Sequence, residues 1–99
     1  MQIARVTGSV VATRKESDLE GLKMLLLQKS SPSGESSEQY VVAIDSVGAG
    51  LGDLVLYASG SSARLTEHTQ NRPVDAVIMA IVDSIDDNGT VTYSKTEDG

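Results

Sequence analysis

The chain has 99 residues, a net charge of −6 and no cysteine, so a single domain is expected and disulfides or thiolate metal sites are excluded. A pI near 4.5 argues against binding nucleic acid through its phosphates. Phe and Trp are absent and the only aromatics are Tyr40, Tyr57 and Tyr93, so the core must be built from Val, Ile, Leu and Met. A chain this small with such a core is expected to gain stability by associating with copies of itself.

Taken in chain order, residues 2–13 (QIARVTGSVVAT) alternate. Ala4, Val6, Val10 and Ala12 fall on one face with Gly8 in their row, and Arg5, Thr7 and Ser9 fall on the other. Period two with β-branched residues reads as a long half-buried strand, in which Gly8 marks a bulge or bend. Local rules conflict in the next segment. Ser17-Asp18-Leu19-Glu20 has the capping-box pattern, and GLKMLLLQK follows with good helix formers. Against a helix, Gly21 sits in the first turn, and Leu25, Leu26 and Leu27 are consecutive rather than spaced three and four apart. The balance tips to a strand.

Residues 30–38 (SSPSGESSE) read as a hairpin loop, and 39–45 and 53–59 as strands flanking the glycine stretch. The polar segment 61–75 is expected to be irregular, with one helical turn capped by Ser61 or Ser62. AVIMAIVDSID (76–86) reads as one strong strand. Asn88-Gly89 is a hairpin turn and 90–94 the returning strand, followed by a frayed tail at 95–99. Five or six short strands with turn signals between them point to a small antiparallel barrel or sandwich. In 76–82, Ala76, Ile78, Ala80 and Val82 lie on one face and Val77, Met79 and Ile81 on the other. Met24–Leu27 is also apolar on both faces. Apolar outer faces need a cover, and a second copy of the chain is the simplest one.

No chemistry-bearing constellation emerges. Gly48, Gly50 and Gly52 precede a strand rather than a helix, no Lys-Ser/Thr follows them, and Asp53 would repel an anion, so they read as a bend and not a phosphate loop. His68 lies in a polar stretch without spaced partners, Glu67 and Asp75 included. Asp83, Asp86 and Asp87 lack the oxygen ladder of a calcium loop and read as a charged turn. The serines form no nucleophile elbow and no Ser-x-x-Lys. Arg64, set among small residues, could make bidentate contacts across an interface. No cofactor is implied. The N-terminus lacks the apolar run of a secretory leader, and no stretch is long enough to span a bilayer, so a cytoplasmic protein is expected.

ARVTGSVVAT at the start, LEGLKMLLLQ at 19–28, AIDSVGAGLGDLVLYASGSSAR at 43–64 and PVDAVIMAIVD at 73–83 together resemble the EutN/CcmL family, the vertex proteins of bacterial microcompartment shells in carboxysomes and metabolosomes. The resemblance runs over residues 1–86. It implies a five-stranded OB-like barrel with a short helical turn near 61–65, a strand at 22–29, and an appended segment at 87–99. It also implies a homopentamer that caps the fivefold corners of a shell tiled by hexameric proteins, with no catalysis. The family's GAG block falls on Gly48, Ala49 and Gly50, and its GSSAR block on Gly60 and on Ser61, Ser62, Ala63 and Arg64. These are expected packing or subunit-contact positions, together with Val77, Met79 and Ile81. The rival readings are an OB-like module for nucleic acid or another ligand, and a small enzyme with an unrecognised site.

Overall fold

In the computed structural model, which describes residues 1–13, 21–60 and 76–98, the alternating N-terminal run forms β1 (Gln2–Val10). It ends short of residue 13, leaving Val11 in solvent. The register against the second strand slips between Val6 and Gly8, which is the bulge that the glycine announced. The leucine run is β2 (Met24–Ser30), a strand. Leu25 and Leu27 are buried while the alternate residues are only half-buried, so pairing on both sides outweighs the helix propensity of the segment.

The remaining barrel strands are β3 (Ser36–Asp45), β4 (Leu54–Ser59) and β5 (Ala76–Ile81). They close in the order β1-β2-β3-β5-β4, with β4 returning to β1. All pairs are antiparallel except β3 with β5, whose parallel contact joins Ile44 to Val77 and Asp45 to Ile78. The β3–β5 contact that closes the barrel is short, so the rest of β3 pairs with β2 alone among the described residues.

Two apolar clusters result from the alternation. Inside lie Ala4, Val6, Leu25, Leu27, Val55, Tyr57 and Ile78, among others. Tyr57 is the one large aromatic of this interior, and its hydroxyl donates to Gln2 Oε1 at 2.6 Å, while burial pushes the phenol above its ordinary pKa. Outside, against β2, β3, β4 and β5, lies a second cluster of Ile44, Ala58 and Val77 with Leu22, Met24 and Met79.

The expected strand over 76–86 is in fact two elements. β5 ends at Ile81 because its partner β4 begins at Leu54. Val55 faces Ile81, and the Val82 amide makes the last bond, to the Leu54 carbonyl at 2.8 Å. With no partner strand beyond, the chain leaves the wall and forms β6 (Ser84–Asp87), which pairs with β7 (Thr90–Ser94). Asn88 and Gly89 both have positive φ, 56° and 82°, as the favoured two-residue hairpin turn requires. The tail expected to fray instead makes a single helical turn, α1 (Lys95–Asp98). It is held at its start by the Lys95 amide on the Asp83 carbonyl, 2.8 Å.

This hairpin docks on the outer wall. The Arg5 guanidinium lies 5.7 Å from the centre of the Tyr93 ring and donates to the Gly52 carbonyl at 2.9 Å. Thr92 Oγ1 donates to the Pro32 carbonyl at 2.9 Å, and Lys95 Nζ lies 3.6 Å from Asp53 Oδ1. The β2–β3 turn comes close at Gly34, where a Cβ would sit 3.6 Å from Arg5 Nη2. Tyr93 is buried, yet its hydroxyl has no hydrogen-bond partner among the described residues. Removing an unpaired buried hydroxyl relieves a desolvation cost of about 1 kcal/mol. Tyr93→Phe is therefore expected to leave stability unchanged or raise it by about that amount in urea unfolding. A loss of similar size would contradict the orphaned hydroxyl.

Candidate functional site: the glycine loop and the outer wall

The loop between β3 and β4 is organised by two carboxylates. Asp45, at the end of β3, has a side chain only 2% exposed. Its Oδ1 accepts from the amides of Val47, Gly48 and Ala49 at 3.1, 3.1 and 3.2 Å. Its Oδ2 lies 3.3 Å from Lys23 Nζ, which also donates to the Ala49 carbonyl at 3.3 Å. Asp53, just before β4, accepts from the Gly50 amide at 2.8 Å, and its own amide returns to the Gly50 carbonyl. Gly48 and Gly52 carry φ of +78° and +89°, values that only glycine adopts at low cost.

Four successive N–H groups, 47 to 50, are thus already taken by the chain's own carboxylates. A phosphate loop needs such groups free and pointing at the ligand. Here the concavity is filled from within, so the glycines shape a turn. Ala49, at its centre, is buried in the barrel interior and stoppers that end. The three members of the GAG block are therefore neighbours with different surroundings. Ala49 is core, while Gly48 and Gly50 lie at the surface.

Burial alone would raise the pKa of Asp45, but the amides of Val47 and Ala49 and the Lys23 ammonium outweigh it and hold the group below its ordinary 3.8. A depressed carboxylate contributes stability that is fully present above the unfolded-state pKa and is lost as pH falls through the folded one. Wild-type stability is accordingly expected to drop below about pH 4 more steeply than that of Asp45→Asn. Urea midpoints of the two proteins between pH 7 and 2.5 should converge on acidification. A gap that stays constant would contradict this.

Beside the loop, a cleft of about 290 Å³ opens between Gly8 and Ser9 of β1, Lys23 and Leu25, and Gly50 and Leu51. Lys23, the cation among the described residues that line it, is engaged by Asp45. Among the described residues no group of three or more His, Cys, Asp or Glu is placed to hold a metal ion.

The outer wall is the remaining feature. The sequence places Val77, Met79 and Ile81 together on it, and the structure corrects this at Ile81. Against β4, the register slips so that Leu56 faces Ala80 and Tyr57 faces Ile78, leaving Met79 as the extra residue of a bulge. The bulge reverses the alternation beyond it, so Ile81 packs against the interior cluster. Val77 and Met79 do belong to the outer cluster, but Val77 is already fully buried within the chain. Sequence reasoning missed Tyr40 and Val42 as outward apolar residues of β3, which are 54% and 46% exposed. Their alternation with buried Ala43 is the signal that could have found them. Ser61, Ser62, Ala63 and Arg64, the expected helical turn, and His68 lie outside the described residues.

The family model described as "Ethanolamine utilisation protein EutN/carboxysome" matches residues 1–83. The chain belongs to the EutN/CcmL family. The carboxysome shell vertex protein CcmL of Gloeobacter violaceus is 45% identical over 97 residues, covering 98% of this chain and 97% of that protein. The solved structure of Gloeobacter violaceus CcmL matches with a TM-score of 0.93 over 97% of this chain and 99% of that one, at 46% identity. The bacterial microcompartment shell vertex protein EutN of Escherichia coli K12 is 40% identical over 95 residues, covering 96% of this chain and 100% of EutN. GrpN, a pentameric microcompartment shell protein from Rhodospirillum rubrum, matches with a TM-score of 0.80 at 33% identity, over 88% of this chain and 99% of its own.

Proposed function

We propose that this EutN/CcmL chain is a structural component of a bacterial microcompartment shell. Five copies form a closed ring that caps the shell's fivefold vertices inside the bacterial cytoplasm. The observation that carries this reading is near full-length similarity to shell vertex proteins, together with the match to a pentameric shell protein. The role is geometric. A sheet of hexagonal tiles cannot close by itself, and fivefold units supply the missing curvature. The tiles are hexameric shell proteins of different sequence, met through the polar rim of the ring.

The protein performs no catalysis in this role, a reading supported by its similarity to shell vertex proteins. Residues 1–86 build the ring and 87–99 form an appended segment. Ala49, Val77 and Ile81 act as packing positions, in keeping with their contacts within the two apolar clusters. Gly48, Gly50, Met79 and residues 61–64 act as packing or subunit-contact positions.

Native mass spectrometry of the purified protein tests the reading. The expected mass is five times that of the chain, and a persistent folded monomer at high concentration would overturn it.

A further inference from the structure

Apart from the cluster around Val77, the described outer wall carries apolar side chains side by side in two places. On β2 and β3, Leu26 pairs with Val42, and Tyr40 stands two residues along on the same face. On the far side of the closed strand order, Leu56 of β4 pairs with Ile3 of β1 and with Ala80 of β5. Both places are accessible, with Val42 and Tyr40 exposed and Leu26, Ile3, Leu56 and Ala80 half-buried. Each also sets a small residue beside branched ones. Gly8 lies next to Leu26 in the register, and a Cβ built there meets nothing within 4 Å. Ala80 holds the corresponding place beside Leu56, turned outward by the Met79 bulge.

A cyclic ring of identical subunits is head-to-tail. Each copy must present two different patches, one to each neighbour, whereas a two-fold dimer needs only one self-complementary patch. We propose that neighbouring subunits meet through these two surfaces, the Leu26–Val42–Tyr40 face of one copy against the Ile3–Leu56–Ala80 face of the next. The occupant of each patch is therefore a second copy of this chain. This rests on the pentamer reading and names the surfaces that build it. Patches of one kind on opposite sides of a closed barrel are what such a ring demands, and a branched-plus-small texture on both sides allows close interdigitation.

The test uses two variants, Val42→Asp on the first patch and Leu56→Asp on the second, with circular dichroism as the check on folding. Alone, each variant is expected to run as a folded monomer in native mass spectrometry, a fivefold loss of mass. Mixed in equal amounts they should form dimers and nothing larger, since each keeps one sound patch and only one sound interface can form. Either variant remaining pentameric would overturn the assignment, as would a mixture of two folded variants that stays monomeric. If Leu56→Asp fails to fold, Ala80→Glu replaces it on the same patch with the same expected outcomes. A monomeric wild type would instead sink the pentamer reading itself, so the two failures are distinguishable.

Discussion

Ile78→Asp is expected to abolish folding of the isolated subunit, not merely its assembly. Ile78 is 0% exposed and belongs to the interior cluster with Leu27, Val55 and Tyr57. A carboxylate there would have no partner, and burying an unpaired charge or forcing it neutral costs at least about 4 kcal/mol. A domain of this size has about 5–10 kcal/mol in all, so the loss is comparable with the total. Circular dichroism should show no cooperative melt. Ile78→Val removes one methylene and should cost only about 1 kcal/mol. Met79→Asp makes the contrast, because Met79 lies on the outer wall and is half-buried. It should fold and lose stability by a smaller amount. A cooperative, wild-type-like melt for Ile78→Asp would mean that the barrel interior has been misassigned.

Asp45→Ala should have the second largest effect. The substitution removes the acceptor of three loop amides and the partner of Lys23. Lys23 is largely exposed and can return to water at little cost, so the loss comes mainly from the amides. Of these, only that of Ala49 is partly buried. A loss of about 2–4 kcal/mol is expected from one carboxylate that satisfies several donors at once. Because the loop then lacks its organiser, hydrogen exchange at residues 47–50 should accelerate well beyond that of β2 and β3. Uniform acceleration across the barrel would indicate that the carboxylate supports the whole fold rather than the loop.

Much of the barrel is legible in the sequence where alternation is clean. β1 with its bulge, the Asn88-Gly89 turn and the strands at 39–45 and 53–59 follow from local pattern. The strand at 24–30 is legible only as a conflict, since its leucines, Met24 and Lys29 favour a helix in isolation. What decides it is pairing with β1 on one side and β3 on the other, a tertiary fact. The Met79 bulge leaves no local mark. An apolar run of Ala, Val, Ile and Met looks the same in either parity, so Ile81 could not be turned inward from sequence alone. The break after Ile81 was hidden for a related reason, because a strand ends where its partner begins, and Leu54 lies far away in the chain. The glycine loop was legible as a bend from Asp53 and the absent lysine. That Asp45 fills it depends on how the chain folds back after β3, which no local pattern marks.

The self-satisfied turn between β3 and β4 has one more consequence. A loop that supplies its own counter-charge is shaped by groups of the same chain, Asp45 with Lys23 on one side and Asp53 on the other. Its geometry is therefore written into the two strands it joins, and it takes shape as soon as they find their places in the barrel.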